Sequence, residues 1–377
     1  MTGTRAVDVL VVGAGPAGLA AARRLAARGA GTVEVLERER GAGRGRDAAV
    51  RAGAVLRTGT MATGWSGPLT LDVTGPAGRE RVTARAVVLA TGARERPRGA
   101  RLVPGTRPAG VLTTGELTRT AGLGRPVGTR AVVVGAEPVS WEAVRTLRRA
   151  GVAVAAVVTG QSPSRPRALT GPLPVLGGTA VAEVLGRGRV SGVRLRREDG
   201  RTAVVRCDTV VFTGDWVPEY EVARSAGAEP APGTRGPSVD GSFRTTVPGV
   251  FAVGGLVLPG APSSRTARAG RAVARPVLDF LADPTRAWPR GGAPVVAGAP
   301  LRWVTPHRLG APGAGGRFLV RADRPLVAPV LVVRQDGALL YRRRWWRCAG
   351  PYRPVALPGG WAARADPAGG PVEVTVC

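Results

Sequence analysis

The stretch that decides the fold runs from Val7 to Glu37 and reads VDVLVVGAGPAGLAAARRLAARGAGTVEVLE. Its first residues, up to Val12, form a short apolar run that is typical of a buried strand. The turn GAGPAG follows, and then a segment rich in Ala, Leu and Arg that predicts a helix ending in glycines. A second apolar strand ends in Glu37. This order of parts predicts a complete βαβ unit.

The glycine turn is predicted to hold the pyrophosphate of a dinucleotide. Gly13 permits a tight turn, Gly15 lets the backbone approach the pyrophosphate, and Gly18 allows the helix to pack closely on the strand. Glu37 lies 24 residues after Gly13, close to the roughly 20-residue offset at which an acidic side chain takes ribose hydroxyls. The candidate residues of this turn are Gly13, Ala14, Gly15, Pro16, Ala17 and Gly18.

Later segments predict further α/β structure and a different tail. A strand at 130–134 leads into the turn GAEPVS and a helix, which predicts a second nucleotide-type unit. Residues 181–205 alternate like a β-meander. Beyond about Trp288, short strands alternate with Pro and Gly turns, and Asp336-Gly337 predicts a hairpin. The tail is therefore interpreted as a small β-rich appendage.

The formal charge of +28 raises the hypothesis of a nucleic-acid partner. Against it, the chain contains no Lys, Ile or Asn, a usage typical of very GC-rich coding sequences, and its arginines are spread along the whole length. We therefore expect no nucleic-acid partner. No apolar run approaches the roughly 18 residues of a membrane span, and no signal peptide is evident. We expect no membrane association and a cytoplasmic location.

The cysteines and the one histidine exclude several kinds of site. The cysteines, which lack C-x-x-C spacing, are Cys207, Cys348 and Cys377. Neither a dithiol relay nor a metal site is expected from them, and Cys207 is interpreted as a buried strand residue. His307 cannot form a dyad or multi-His site alone, and a surface or turn role is expected. For Trp345-Trp346, packing in the tail is favoured over stacking on a partner.

Four landmarks, in this order, resemble the FAD-dependent pyridine nucleotide-disulfide oxidoreductase superfamily in its two-domain, thioredoxin-reductase-like form. They are GAGPAG with Glu37, the ATGA at 90–93, the interrupted turn from Gly135, and VPGVFAVGG ending at Gly255. The likeness spans about residues 7–280. It is similar to the branch without the redox dithiol, which includes flavoprotein subunits of opine and amino-acid dehydrogenases and hydrogen cyanide synthase.

The resemblance implies an α/β fold with two Rossmann-like nucleotide-binding domains and the small β-rich C-terminal appendage. The FAD-binding domain would be discontinuous, at 1–112 and 243–285, with an NAD(P)-binding-like domain inserted at 113–242 and the appendage at 290–377. FAD is the implied cofactor. Beyond the glycine turn and Glu37, the implied cofactor-binding residues are Arg38, Met61, Thr91, Gly92, Gly254 and Gly255.

Three departures put the chemistry in doubt. Gly255 stands where thioredoxin reductases carry an Asp that binds ribityl hydroxyls. Glu137 in GAEPVS places a carboxylate where a pyrophosphate would lie, and Pro138 removes a backbone donor, so ordinary NAD(P)H binding is doubtful. Only fifteen residues separate Glu37 from Gly53, where related enzymes place a helix and a flavin-facing loop. We interpret this stretch as little more than a connector.

The leading hypothesis is an FAD-dependent oxidoreductase that acts on a small-molecule substrate by hydride transfer through the flavin. No acid or base can be named. Disulfide reductase activity is not expected, because no cysteine lies between Val111 and Arg130. The alternative is a noncatalytic or reduced FAD-binding subunit of a flavoprotein complex. A partner flavoprotein or electron-transfer subunit is a further hypothesis, and Asp215 is interpreted as an interdomain turn.

Overall fold

A computed structural model describes residues 3–41, 43, 45–161, 173–285, 288–289, 291–310, 317–345, 349–351 and 354–377. The chain divides into two compact units. The first unit comprises Met1–Ala93 and Pro218–Cys377, and the second comprises Arg94–Val217. No helix in the described ranges is both long enough and apolar enough to cross a lipid bilayer.

The elements of the described residues follow in chain order. The helices are α1 (Pro16–Ala26), α2 (Arg46–Arg51), α3 (Thr114–Gly122), α4 (Pro138–Arg149), α5 (Glu221–Ser225) and α6 (Ser263–Ala282). The strands of the first half are β1 (Gly3–Val12), β2 (Val33–Glu37), β3 (Val55–Thr58), β4 (Met61–Gly67), β5 (Thr70–Gly75), β6 (Gly78–Leu89), β7 (Ala93–Glu95), β8 (Val111–Thr113), β9 (Arg130–Val134), β10 (Ala153–Val158), β11 (Val175–Leu176) and β12 (Thr179–Arg187). Those of the second half are β13 (Arg189–Arg197), β14 (Thr202–Arg206), β15 (Thr209–Phe212), β16 (Trp216–Pro218), β17 (Val250–Ala252), β18 (Val295–Ala297), β19 (Leu301–Thr305), β20 (Phe318–Ala322), β21 (Val330–Gln335), β22 (Ala338–Arg344), β23 (Val355–Leu357) and β24 (Val372–Val376). Short 3₁₀ turns lie at Arg98–Arg101, Gly254–Leu256 and Gly360–Arg364.

The first unit is built on a parallel sheet in the order β3-β2-β1-β6, with β17 adding to β6 in parallel. The strands β5 and β4 continue from β6 in antiparallel pairing. The paired ends of β1 and β6 are fully buried runs of Val and Leu, as expected for strands covered on both faces. The predicted βαβ opening is confirmed, as β1, α1 and β2.

Helices α1 and α6 pack against each other beside this sheet, and their close approach depends on Gly270. A Cβ at Gly270 would collide with the backbone carbonyl of Ala17 in α1. Behind the contact, Val273 and Val277 of α6 are fully buried in the same apolar cluster as Val9 and Val11 of β1. The two helices are thus fixed by backbone contact and by a shared core.

The second unit has a five-stranded parallel sheet in the order β11-β10-β9-β15-β8. Helices α3 and α4 bury Leu117, Ala143 and Leu147 in one apolar cluster with this sheet. An antiparallel sheet of β12, β13 and β14 confirms the predicted meander. The predicted second nucleotide-type unit is also confirmed, as β9, α4 and β10.

The units divide at different residues from the expected 112/113 and 242/243. The crossings lie at Ala93/Arg94 and Val217/Pro218, and the crossing strands β7 and β16 form a two-stranded sheet. The first crossing lies earlier because β8 pairs in parallel with β15, with Val111 opposite Val210. The second crossing also lies earlier than expected, because the segment after Pro218 buries Ala223, Ala228 and Val239 in the core of the first unit.

The C-terminal region is rich in strands, as predicted. One sheet has the order β18-β24-β21-β22 and the other the order β19-β20-β23. The hairpin of β21 and β22 turns at Asp336 and Gly337, whose φ angles are 48° and 82°. Positive φ at both residues is the signature of a type I′ turn, so the predicted hairpin is confirmed.

This region shares its core with the rest of the first unit. Trp303 of β19 is buried in the apolar cluster that includes Leu256, while the remaining strands enclose a cluster around Trp361. Trp345 packs against that second cluster, which agrees with the packing interpretation. Trp346 and Cys348 lie outside the described residues. The three arginines before Trp345, at 342–344, are exposed on β22, an edge strand.

His307 is buried, so the expectation of a surface or turn position was wrong. Only 6% of the residue is exposed. Its Nδ1 accepts a hydrogen bond from the Val239 amide at 3.2 Å, and its Nε2 lies 3.2 Å from Thr234 Oγ1. Burial, with a smaller effect from Arg308, lowers the pKa of His307 to about 3. A neutral imidazole therefore joins the C-terminal region to the segment before β17.

We predict that His307 makes the protein acid-sensitive. The unfolded chain protonates this imidazole near its ordinary pKa of about 6.5, whereas the folded chain keeps it neutral down to about 3. Between these values the unfolded state binds more protons, so stability falls as the pH falls. From about pH 7 to about pH 5 the contribution lost is about 2 kcal/mol. Urea unfolding at both pH values measures it.

The matched variant is His307→Gln, which keeps polar atoms at this position but does not titrate. It should be less stable at pH 7, because the imidazole contacts are altered, and should lose about 2 kcal/mol less than the wild type on acidification. Equal acid losses in the two proteins would contradict the buried neutral assignment.

Candidate functional site

The glycine turn connects β1 to α1 through two positions that exclude side chains. Gly13 has a φ of 107°, and its amide donates to the carbonyl of Leu36 at 2.8 Å. A Cβ at Gly13 would meet the carbonyl of Ala90, and one at Gly18 would collide with the carbonyl of Gly13. The predicted reasons for these two glycines, a tight turn and close packing of helix on strand, both hold in the structure.

Gly15 differs from its neighbours because it borders open space. Its φ is −75°, which any residue can adopt, and an added Cβ would meet no atom within 4 Å. Gly15 precedes α1, whose first intrahelical amide, that of Leu19, donates to the Gly15 carbonyl at 3.0 Å. Pro16 begins the helix without an amide hydrogen, whereas Ala17 and Gly18 present first-turn amides. The space and these amides form a cradle suited to an anion.

Glu37 lies at the end of β2 and closes onto the glycine turn. Its carboxylate accepts hydrogen bonds from the amides of Ala14 at 2.8 Å and Glu39 at 2.9 Å. The next residue, Arg38, has a side chain that is 54% exposed and lies 3.5 Å from Glu219. Because a carboxylate has about four acceptor positions, Glu37 retains acceptors for further hydroxyl donors.

Met61 is the first residue of β4 and is half exposed. The residue before it, Thr60, donates its amide to the carbonyl of Glu37 at 2.8 Å. Met61 is therefore one residue from the contact with the end of β2.

The distant landmarks return to the same edge of the sheet. Strand β17 pairs with β6, and the Val253 amide donates to the carbonyl of Leu89 at 3.0 Å. A Cβ at Gly254 would lie 2.7 Å from the Cβ of Ala17 in α1. At Gly255 it would lie 3.2 Å from the amide nitrogen of Ala93. The structure thus brings Gly254 to the first helix and Gly255 to the strand crossing after Gly92.

Glu219 belongs to the site region but was not among the sequence candidates. Its backbone carbonyl accepts from Thr91 Oγ1 at 2.7 Å, and its amide donates to the carbonyl of Gly92 at 2.9 Å. Through its carboxylate it also reaches Arg38. Nothing in the local sequence marks Glu219, because its role depends on the second crossing of the chain.

The short stretch after Glu37 is more ordered than a connector, which corrects that interpretation. It contains the six-residue helix α2. Before α2, the amide of Gly43 donates to the carbonyl of Ala14 at 3.2 Å, and a Cβ at Gly43 would lie 3.0 Å from that oxygen. This segment therefore lies directly against the glycine turn.

In the second unit, Glu137 precedes α4 at the position that Gly15 holds before α1 in the first unit. Its carboxylate accepts from Trp216 Nε1 at 2.9 Å and lies so close to Gly214 that an added Cβ there would be 2.6 Å from its carboxyl carbon. Pro138 follows as the first helical residue. The predicted placement of a carboxylate at the helix N-terminus is thus what the structure shows.

Two further charged side chains fill the same edge of the second sheet. Glu95 accepts from Thr114 Oγ1 at 2.8 Å and from the Gly214 amide at 3.0 Å, and burial raises its pKa. Arg101 donates to the carbonyl of Gly214 at 2.7 Å and is attracted by Asp215, Glu95 and Glu137. Burial lowers the pKa of Arg101. Ligands of open α/β sheets bind at this edge, so these residues compete for the ligand's place.

Two family models match this chain. A family model described as pyridine nucleotide-disulphide oxidoreductase matches residues 60–274, more than half of the chain. The chain belongs to this family. A model described as an NAD(P)-binding Rossmann-like domain matches residues 11–65, which include the glycine turn and Glu37. The resemblance inferred from the four landmarks is confirmed, and the family implies flavin and nicotinamide cofactors in general terms. No curated protein sequence matches significantly.

Solved structures of this family are similar in fold. The thioredoxin reductase of T. acidophilum is 23% identical, with a TM-score of 0.59, over 74% of this chain and 99% of that one. An NAD-dependent persulfide reductase from A. fulgidus is 19% identical, with a TM-score of 0.60, over 95% and 75%. An L-proline dehydrogenase from P. horikoshii is 18% identical, with a TM-score of 0.55, over 75% and 57%.

We predict that Glu137 prevents dinucleotide binding in the second unit. A pyrophosphate placed before α4 would meet its carboxylate, and like charges at this distance repel. Calorimetric titration of the wild type with NADH or NADPH should give only weak binding. Glu137→Gln removes the charge and keeps an acceptor for Trp216, and should strengthen binding by about tenfold or more, about 1.4 kcal/mol.

The matched control is Glu142→Gln, which neutralises an exposed carboxylate further along α4. It should leave nicotinamide binding as weak as in the wild type. Tight wild-type binding that is indifferent to Glu137→Gln would show that the nucleotide avoids this carboxylate.

Proposed function

We propose that this chain is an FAD-dependent oxidoreductase that acts on a small molecule by hydride transfer through the flavin. The observation that carries the proposal is the cradle beside Gly15, which is open, borders first-turn amides and faces the carboxylate of Glu37. When bound, FAD supplies the redox chemistry, and the protein binds and orients it.

The residues of the cradle divide the binding task. First-turn amides of α1 would face the pyrophosphate, since a helix N-terminus favours an anion. Glu37, fixed by two backbone amides, would accept from the ribose hydroxyls. Met61 would lie on the adenine side. Each assignment depends on groups that the fold already holds in place.

At the other end of the cofactor, Gly254, Gly255 and the Thr91-Gly92 pair would lie near the ribityl chain. Gly255 cannot donate or accept through a side chain, and the loss of one such contact costs about 1 kcal/mol. The position is tight, because even a Cβ would lie 3.2 Å from the Ala93 amide nitrogen. The proposed site is thus held mainly by backbone groups at this end.

The proposed chemistry is not disulfide reduction. No cysteine lies between Val111 and Arg130. Cys207 is buried, and burial together with the charge of Asp208 raises its pKa to about 11. The thiolate is the reactive form, so a thiol with this pKa is a poor nucleophile near neutral pH.

The second unit also bears on the electron-transfer partner that we expect. The acidic side chains of the second unit disfavour a nicotinamide donor, so we propose that electrons pass to or from a partner flavoprotein or electron-transfer subunit. Among the neighbours, the L-proline dehydrogenase is named for a small-molecule substrate. A cytoplasmic location without nucleic-acid or membrane partners remains part of the proposal.

The alternative function is a noncatalytic or reduced FAD-binding subunit. The observation that favours it is the contact of Gly43 with Ala14, since the segment that would otherwise face the flavin ring here lies against the glycine turn. In that case the cradle would hold the nucleotide without building a closed site around the ring.

The decisive variant for the cradle is Gly15→Val. Because an added Cβ at Gly15 meets no protein atom within 4 Å, the fold should tolerate the substitution, while the valine methyl groups occupy the space of the pyrophosphate. After reconstitution with FAD, the wild type should show flavin absorbance after gel filtration, and Gly15→Val should show none.

Two further glycines serve as controls. Gly360→Val adds the same side chain to open space in the first unit and should leave FAD binding unchanged. Gly18→Ala should lower the stability of the apoprotein by about 1–3 kcal/mol, because its Cβ collides with the Gly13 carbonyl. A folded Gly15→Val protein with wild-type flavin content would show that FAD does not use this turn.

The two functions are separated by comparing ADP with FAD. If the flavin ring is left exposed, as the alternative function implies from the position of Gly43, ADP should displace FAD with an affinity within about tenfold, about 1.4 kcal/mol. A closed ring site excludes water and strengthens the contacts around the ring. FAD binding about a thousandfold tighter than ADP, about 4 kcal/mol, would therefore contradict the alternative.

A further inference from the structure

A second cavity of the first unit lies apart from the glycine turn. It has a volume of about 610 Å³ and is bounded by the first half of α6, the segment at 239–243 and residues of the C-terminal strands β19, β20 and β23. Its lining includes none of the candidate dinucleotide residues. The volume is within the range of about 300–1,000 Å³ that is usual for small-molecule sites.

The floor of this cleft is apolar. Val239, Val257 and Leu258 are each at least nine-tenths buried beneath it, and Phe243 and Leu319 add partly buried side chains. An apolar body placed on this floor would lose contact with water, which favours binding in proportion to the area covered.

The rim carries four arginines. Arg265, Arg268 and Arg271 come from successive turns of α6, and Arg317 comes from a different part of the lining, just before β20. Arg265 donates to the carbonyl of Pro354 at 3.4 Å.

The one carboxylate in the described lining is already neutralised. Asp240 accepts from Arg244 Nε at 2.7 Å and from the amides of Ser242 and Arg244 at 2.8 and 3.0 Å. The side chain is almost completely buried. The field in the cleft is therefore set by the rim arginines, and walls of one sign attract ligands of the other.

We propose that this cleft binds a small organic anion, with an apolar body on the floor and a carboxylate, sulfonate or phosphate group at the arginine rim. Guanidinium groups match the oxygen pairs of such groups and form charge-assisted hydrogen bonds with them. The site is separate from the flavin cradle, so the proposal does not depend on FAD binding.

The test uses two dyes that share an apolar body and differ in charge. 8-Anilinonaphthalene-1-sulfonate carries a sulfonate, and N-phenyl-1-naphthylamine lacks it. Fluorescence titration of the folded full-length protein should show that the sulfonate dye binds more tightly. Raising the salt from about 0.01 M to about 1 M should weaken its binding, since the Debye length falls from about 30 Å to about 3 Å. Binding of the neutral dye should not weaken at high salt.

Arg268→Gln combined with Arg317→Gln removes one charge from α6 and one from the segment before β20. This variant should weaken binding of the sulfonate dye by about tenfold and leave the neutral dye within about twofold. Arg275→Gln, on the same helix but outside the cleft, should change neither dye. Ala272→Trp, at an exposed lining position, should fill the cleft and abolish binding of both.

Thermal unfolding confirms that each variant is folded before its titration is interpreted. Equal weakening of both dyes by the double variant, or equal weakening by Arg275→Gln, would overturn the proposal. So would tight dye binding that survives Ala272→Trp, because the anion would then be bound elsewhere.

Discussion

Helix α1 approaches two other backbone segments at distances that no side chain could occupy. Gly18 places it against the turn that begins it, and Gly270 places α6 against its first residues. Gly254 is the third close neighbour, near the Cβ of Ala17. These contacts fix the N-terminus of α1, and with it the open space beside Gly15, relative to strands that are remote in sequence. The candidate cradle is therefore a consequence of helix packing as much as of the turn.

The two βαβ units place different residues at the equivalent position of the turn before the helix. Before α1 the chain offers Gly15 and open space, whereas before α4 it offers Glu137, held by Trp216. Buried charges need partners, and Arg101 supplies a positive one for the second edge. The two units share the βαβ arrangement and differ in a few side chains around the turn before the helix.

Much of the fold could be predicted because its signals are local. The unit from Val7 to Glu37 is defined by strand, turn and helix patterns within one stretch, and the Asp336-Gly337 hairpin by two residues with positive φ. The burial of His307 could not be predicted, since its partners, Thr234 and Val239, are far away in sequence. The compact units divide at Ala93/Arg94 and Val217/Pro218 and not at the expected 112/113 and 242/243, and the pairing of three-residue strands such as β8 leaves almost no sequence signal.

The position of the arginines at 342–344 on an edge strand suggests a role for their charge other than nucleic-acid binding. They lie on β22, the last strand of its sheet, where unsatisfied backbone groups could pair with a strand of another molecule. Proteins commonly protect such edges with lysine, which this chain lacks entirely. Consecutive guanidinium groups repel a second copy of the same edge, because like charges would be brought directly opposite each other. The basic run can thus act as a safeguard against aggregation, which requires no binding partner at all.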